Sequence, residues 1–217
     1  MATVQLPPQG SFRLDDVDWL TYRRLLRAFD NRHARLTYDR GSLEFMTLSP
    51  LHEHFSSLLG QFVEVLTEEL QMPRRSAGST TLKRKKRLRG LEPDRSYYLA
   101  NEPLVRGKET LDLRRDPPPD LGIEIDVTHS SLNRMAIYAA LKVPEVWRFD
   151  GQALVSYHLQ ANGTYVANDR SLHFSFLSLK DVNLFLQRRT QMDETSLVRS
   201  FRAWVREQIA KGWPAVT

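Results

Sequence analysis

The sequence predicts an α/β protein in which a central mixed β-sheet is flanked by helices. Three observations predict this class. Residues 121–149 alternate strand, helix and strand, residues 34–47 have the pattern of a β-hairpin, and a long amphipathic helix follows Pro50. Because a strand–helix–strand unit joins parallel strands and a hairpin joins antiparallel ones, the combination indicates a mixed sheet.

The N-terminal part of the chain predicts an arm followed by a helix. Residues 1–12 contain two prolines and a glycine, which break regular structure and predict an irregular arm. Asp15 or Asp16 is then suited to cap a helix that runs to about Ala28. Apolar side chains, beginning with Trp19, recur along one face of that helix.

A hairpin and the clearest helix of the chain come next. Arg40-Gly41 separates two apolar runs, and the glycine supplies the backbone freedom that a tight turn needs. Ser49-Pro50 opens a helix that Pro73 is predicted to end. Its apolar residues recur every three or four positions: Phe55, Leu58, Leu59, Phe62, Leu66 and Leu70.

The most informative segment begins at residue 120. Leu121, Ile123, Ile125 and Val127 alternate with small or acidic residues, which predicts a strand. Ser130 or Ser131 is predicted to cap a helix over about 132–141, and the strands 145–150 and 153–159 follow, joined by an Asp-Gly turn. A short strand near 164–166 and two helices, at about 178–189 and 193–210, complete the prediction.

The bulk composition limits the function. The 217 residues are predicted to form one domain over 1–217, with about 178–217 as a C-terminal helical extension. The chain has no cysteine, which excludes disulfides and thiolate metal sites and leaves hard cations such as Mg²⁺ or Mn²⁺. A net charge of +5 and a pI near 9.6 suit a polyanionic partner. The chain has neither a membrane-length apolar run nor a secretory signal, so we expect a cytoplasmic protein without a membrane partner.

Acidic residues suggest where the chemistry lies. Glu124 and Asp126 point to one face of the predicted strand, and Asp120 lies at its start on the same face. A divalent cation would satisfy all three carboxylates at once. If the strand after Pro93 lies beside this one, Asp94 reaches the same patch. The alternative is an ordinary solvated face on an edge strand, and the sequence patterns alone leave both interpretations open.

Three further features have equally ordinary alternatives. The basic run Lys83, Arg84, Lys85, Lys86 and Arg87 suits contacts with nucleic-acid phosphates, but such runs are also typical of exposed loops. His54, at the start of the long helix, suits a role beside a metal-bound water or a phosphate, and equally a surface position. Glu44, on the predicted hairpin, allows the same two interpretations. No nucleophile elbow, Walker loop or HExxH motif is present.

Taken in order, these motifs resemble a known family. The sequence is similar to the restriction-endonuclease-like proteins often called Uma-type, within the PD-(D/E)XK superfamily, over about residues 15–160. The resemblance is carried by G-S-L-E-F-M at 41–46, S-P-L-H-E-H at 49–54, P-D at 93–94, P-D-L-G-I-E-I-D at 119–126 and S-S-L-N-R-M-A-I-Y-A-A-L-K-V-P-E-V-W-R-F-D at 130–150.

This resemblance implies a restriction-endonuclease-like core and Mg²⁺-dependent cleavage of DNA. Asp94 and Glu124 match the metal-binding acidic residues of the pattern. Glu44 matches the glutamate of its G-x-L-E motif, His54 its helix-start histidine, and Asp120 a second Pro-Asp that many members carry. The two-fold symmetry of duplex DNA also favours a homodimer.

The sequence departs from the pattern at the superfamily lysine. That lysine normally lies two residues after the acidic residue, where this chain has Asp126. In this family it often moves to the following helix, four residues before a tyrosine, where this chain has Arg134. Arginine binds phosphate well but stays protonated and cannot act as a base.

Three functions are consistent with this sequence. The leading one is a DNA endonuclease in which Asp94 and Glu124 hold the metal, Asp120 or Asp126 assists, and Arg134 lies near the scissile phosphate. The second is a catalytically impaired nucleic-acid-binding protein on the same fold. The third is a protein-interaction scaffold.

Overall fold

A computed structural model describes residues 10–29, 34–127 and 130–214 of the protein. In these ranges the helices are α1 (Trp19–Ala28), α2 (Pro50–Glu69), α3 (Glu102–Val105), α4 (Arg134–Leu141), α5 (Leu179–Gln187) and α6 (Glu194–Ala210). The strands are β1 (Gly10–Leu14), β2 (Arg35–Asp39), β3 (Ser42–Thr47), β4 (Arg75–Ser76), β5 (Leu82–Arg84), β6 (Arg89–Leu91), β7 (Arg95–Tyr98), β8 (Leu121–Ile125), β9 (Glu145–Phe149), β10 (Leu154–Leu159) and β11 (Tyr165–Asn168).

The strands form two sheets, and one of them is mixed. The mixed sheet has the order β11-β10-β9-β8-β7-β4, with β8 and β9 parallel and the other neighbours antiparallel. The antiparallel sheet has the order β1-β3-β2-β6-β5. The predicted mixed α/β class is therefore confirmed. The predicted hairpin, however, belongs to a second sheet and not to the edge of the central one.

Helix α2 covers one face of the mixed sheet. Ser49 caps it by accepting the His52 backbone N–H, and its apolar stripe packs on Ile123 and Ile125 of β8. The Phe201 ring of α6 stacks on Phe62 of α2, with ring centroids 4.2 Å apart. The two predicted C-terminal helices are therefore present, and both contribute to this core.

Helix α4 lies between the two sheets. Its buried residues Ile137, Tyr138 and Leu141 pack in one cluster with Leu82 and Leu91 of the antiparallel sheet and with Val146 of β9. Gly122 allows this approach, because a Cβ there would lie 3.1 Å from Tyr138 Cε1. As a result the first turn of α4 lies directly over the acidic face of β8.

Several predicted boundaries are wrong, each for a local reason. Asp18 caps α1 by accepting the Thr21 backbone N–H at 2.7 Å, whereas Asp15 bonds Ser42. Asn133 caps α4 in place of the predicted serines. Residues 10–12 of the predicted arm lie in β1, which pairs with β3, while the rest of that arm, residues 1–9, lies outside the described residues. The end predicted for α2 agrees with the structure, since the helix stops at Glu69, before Pro73.

In the described part of the chain, no helix combines the length and the apolarity needed to cross a lipid bilayer.

Candidate active site

Two carboxylates of neighbouring strands meet at one end of the mixed sheet. Asp94 immediately precedes β7, and Glu124 lies in β8, which pairs with β7. Asp94 Oδ2 accepts the Ile125 backbone N–H at 2.7 Å, so the end of β8 holds this carboxylate in place. Asp94 is 7% exposed and Glu124 is 6% exposed. The register of β7 and β8 therefore brings together the two residues that the Pro-Asp and strand motifs single out.

Glu124 is held by groups from helix α4. Arg134 donates to both carboxylate oxygens, from Nε and from Nη2, at 2.7 Å each, and the Tyr138 hydroxyl donates to Oε1. Burial raises the pKa of the Glu124 carboxyl, and the Arg134 guanidinium opposes that rise. Burial lowers the pKa of Arg134, but the Glu124 carboxylate raises it by more, so Arg134 stays protonated.

Arg134 is itself fixed on both of its other sides. It donates to Thr37 Oγ1 on β2 and, at 2.8 Å, to the Glu92 backbone carbonyl. The guanidinium therefore connects the antiparallel sheet, the segment before β7 and the acidic residue of β8. Arg134, at the position where the resemblance leads one to expect a lysine, is thus a buried part of the acidic site.

The histidine of the site is His52, not His54. His52 is buried, with Nε2 3.2 Å from Asp94 Oδ2. Burial lowers its pKa, but the hydrogen bond and charge of Asp94 raise it by more, so the net pKa lies above the ordinary value. His54 lies two residues on, which turns it by roughly 200° around the helix. Its Nδ1 lies 3.3 Å from Glu194 Oε2 on α6, away from the acidic site.

Sequence reasoning missed His52 although a signal was present. His52 lies three residues before Phe55 and continues the apolar stripe of α2 back by one turn, whereas His54 does not lie on that stripe. A histidine in line with core residues at a helix start is expected to face the sheet. The family motif instead matched His54, so His52 was not among the predicted site residues.

Asp126 and Arg148 form the outer part of the site. Asp126 follows β8 and pairs with Arg148, which lies opposite Glu124 on β9. Asp126 is therefore near the acidic residues, as the alternation predicts, but it already has a cation as partner.

Asp120 and Glu44 have structural partners. Asp120 lies at the opposite end of β8, where Oδ2 accepts the backbone N–H groups of Leu99 and Asn101 at 2.7 and 2.8 Å. The expectation that Asp120 joins the acidic site is therefore corrected, because its two oxygens hold the turn after β7. Glu44 is buried and accepts hydrogen bonds from the Ser130 hydroxyl and from the backbone and hydroxyl of Ser131. It thus anchors the segment that leads into α4.

A small open cavity of about 140 Å³ lies beside Asp94, Glu124 and Arg134. His52 lines it together with three acidic side chains, Asp94, Glu124 and Asp126, and three arginines, Arg35, Arg134 and Arg148. In the described residues no three His, Asp or Glu side chains are grouped as a metal site. The donors that face the cavity are nevertheless carboxylate oxygens, which suit a hard cation such as Mg²⁺.

The predicted basic run lies elsewhere, at the edge of the antiparallel sheet. Lys83 and Arg84 belong to β5, and Lys85–Arg87 form an exposed 3₁₀ turn. Arg84 Nε donates to the Leu113 backbone carbonyl at 3.1 Å. The run is therefore part strand and part exposed turn.

Comparison with known proteins gives a family and one similar structure. The profile of the Uma2 family, described as "Putative restriction endonuclease", matches residues 19–185. A crystal structure described as a "putative nuclease" of the DUF820 family from Anabaena variabilis ATCC 29413 is 17% identical. The similarity covers 69% of this chain and 89% of that one, with a TM-score of 0.47. No curated protein matches the chain.

Proposed function

The chain belongs to the Uma2 family, and we propose that it is an Mg²⁺- or Mn²⁺-dependent endonuclease that hydrolyses phosphodiester bonds of DNA. One observation carries the proposal. The carboxylates of Asp94 and Glu124 converge from neighbouring strands at the floor of an open cavity that also contains cationic side chains. Metal-assisted phosphoryl chemistry needs these groups: acidic ligands, an accessible space and positive charge for the phosphate.

The donor set supports a divalent metal. Asp94 and Glu124 would hold the ion through carboxylate oxygens, and Arg134 already donates one hydrogen bond to each oxygen of Glu124. When bound, the metal would lower the pKa of a water molecule and stabilise charge on a phosphate oxygen. The Ile125 backbone N–H and His52 hold Asp94, so this carboxylate needs little reorganisation.

Arg134 is suited to stabilise charge and not to accept a proton. Its raised pKa keeps it cationic, and Thr37 and the Glu92 carbonyl hold it at the cavity. A guanidinium fixed in this way can donate to a phosphate oxygen as negative charge develops there. A proton acceptor would have to be another group at the cavity.

The basic run is proposed to hold the DNA outside the cavity. Lys83, Arg84, Lys85, Lys86 and Arg87 present several cations on one edge of the antiparallel sheet. Contacts of lysine and arginine with phosphates give affinity without sequence information. We also propose a homodimer, because two copies related by a two-fold axis would place one site on each strand of a duplex.

The proposal is tested by plasmid nicking and linearisation with Mg²⁺ or Mn²⁺ beside an EDTA control. Asp94→Asn keeps the shape of the side chain but removes the charge, and we expect it to abolish metal-dependent cutting. Asp120→Asn is the matched control, since it changes a buried aspartate on the same pair of strands that lies outside the cavity. If the folded Asp120→Asn protein also lost activity, or Asp94→Asn kept it, the assignment of the site would be wrong.

One observation favours a second function, a DNA-binding protein that does not cut. Arg134 occupies both oxygens of Glu124 and thereby takes the place where a cation would bind. Arg134→Lys tests this directly, because the ammonium group of lysine keeps the charge but lacks the planar fork that donates to both oxygens side by side. Cutting that rises in Arg134→Lys, from a level near zero, would indicate that arginine has suppressed an ancestral activity. Cutting by the wild type that falls in Arg134→Lys would support the endonuclease.

A further inference from the structure

One arginine of the cavity has a buried side-chain nitrogen that makes no hydrogen bond within the described part of the chain. Arg134 is paired with Glu124, and Arg148 is paired with Asp126. Arg35 also lines the cavity, yet its Nε is buried and makes no hydrogen bond to any part of the chain that the structure describes. A buried cationic donor without an acceptor costs free energy, so its presence calls for an explanation.

The register of the antiparallel sheet directs Arg35 into the site. On β2, Leu36 and Tyr38 face the core beneath α1, so Arg35 and Thr37 face the other way. Thr37 contacts Arg134, and Arg35 lies two residues along the same strand face, roughly 7 Å away. Arg35 pairs across the sheet with Met46, and both side chains line the cavity.

The charges around Arg35 indicate what it binds. The carboxylates of the cavity already have partners: Arg134 on Glu124, Arg148 on Asp126, and His52 on Asp94. In the described residues no acceptor is left for the Arg35 Nε–H, so an anion that enters the cavity would satisfy it. A phosphate group fits, since guanidinium donates two parallel hydrogen bonds to phosphate oxygens.

We propose that Arg35 binds a backbone phosphate of the DNA strand in the cavity. It would thus act from the antiparallel sheet, while Asp94 and Glu124 act from the mixed sheet, so the substrate lies between the two sheets. This inference rests on the proposed function in that it takes DNA as the ligand. It does not depend on cleavage, because phosphate binding and hydrolysis are separate properties of the cavity.

The test is fluorescence anisotropy with a short labelled DNA duplex in EDTA, where metal-dependent cutting cannot occur. We expect Arg35→Gln to weaken binding roughly tenfold and to reduce the slope of log K against log salt concentration by about one. Arg35→Lys keeps the charge but not the planar fork, so its affinity for the duplex should lie between those of the wild type and Arg35→Gln. Arg199→Gln, the same charge change at an exposed position on α6, should stay within about twofold of the wild type.

A second readout separates binding from folding. Because Arg35 Nε has no partner to lose, Arg35→Gln should melt at or above the temperature of the wild type. In Mg²⁺, if the wild type cuts, Arg35→Gln should raise KM more than it lowers kcat.

The outcomes distinguish this inference from the proposed function. If the wild type cuts DNA but Arg35→Gln binds like Arg199→Gln, the inference on Arg35 is wrong and the endonuclease stands. If the wild type binds without cutting and Arg35→Gln loses affinity, the inference stands and the endonuclease fails. A wild type without measurable DNA affinity at low salt would overturn both.

Discussion

The two ends of the parallel strands β8 and β9 hold buried carboxylates in opposite surroundings. At the amino end, Glu145 accepts hydrogen bonds from five uncharged donors, among them Trp147 Nε1 and Ser156 Oγ at 2.7 Å. Asp120, at the same end, accepts hydrogen bonds from two backbone N–H groups and the Asn101 side-chain amide. At the carboxyl end, Glu124 is instead held by an arginine and a tyrosine and faces a cavity.

The difference separates structural carboxylates from those available for chemistry. Uncharged donors from several segments fix Glu145, and this side chain is fully buried. Glu124 instead lines an open cavity, which leaves space beside its carboxylate for a ligand from outside the chain. This agrees with the general tendency of α/β sheets to bind ligands at the carboxyl ends of parallel strands.

Replacing glutamate by glutamine at each end of the parallel strands gives the sharpest test of this comparison. The larger effect is expected at the cavity. Glu124→Gln removes a proposed metal ligand, so we expect a loss of cutting of roughly 1000-fold, or about 4 kcal/mol in the activation free energy. The measurement is the rate of plasmid nicking per folded molecule. A folded Glu124→Gln protein that cuts within tenfold of the wild type would break the comparison.

Glu145→Gln should act on stability instead. The amide has one acceptor oxygen where the carboxylate has two, and its NH₂ group meets donors such as the Trp147 Nε1–H. Two or more buried donors lose their acceptor, which costs about 3 kcal/mol in the free energy of unfolding. For a chain of this size the melting temperature falls by roughly 6 to 12 °C. Cutting per folded molecule should be unchanged, and a catalytic defect without a stability defect would contradict the structural role.

Local periodicity explains which parts of this fold the sequence predicts. Each of these patterns lies within a single segment: the apolar stripe of α2, the alternation in β8 and the turn at Arg40-Gly41. The structure has the predicted helix, strand and hairpin at these positions. The strand–helix–strand unit of β8, α4 and β9 is predicted for the same reason. Cap residues were wrong where two candidates compete, because Asp15 and Ser131 bond other segments.

The site depends on contacts between segments, which local patterns do not determine. Alternation places Asp120 and Glu124 on one face of β8 but does not say which end meets Asp94. The antiparallel register with β7 decides this, by pairing Arg95 with Ile123 and Tyr97 with Leu121. Likewise, Arg134 was expected near a phosphate, and only the packing of α4 between the sheets brings it onto Glu124.

A third carboxylate, Glu69 near the protein surface, is expected to give the smallest effect on stability in this comparison. Glu69, at the end of α2, accepts hydrogen bonds from Arg206 Nε at 2.8 Å and Arg202 Nη1 at 2.6 Å, and these hold its pKa below the ordinary value. Because the folded pKa is the lower one, the pair stabilises the protein above about pH 4.3, the pKa of an unfolded glutamate. That contribution is lost as the pH falls through the folded pKa.

Glu69→Gln should therefore reduce the free energy of unfolding by no more than about 1 kcal/mol at pH 7, since solvent screens the pair. Urea unfolding of both proteins from pH 7 to pH 3 measures the effect, and the two should converge at the acid end. High salt should also narrow the difference at pH 7. A difference that stays constant with pH would show that Glu69 stabilises the α2–α6 contact by packing alone. A loss as large as that of Glu145→Gln would show that exposure to solvent does not separate the two kinds of carboxylate.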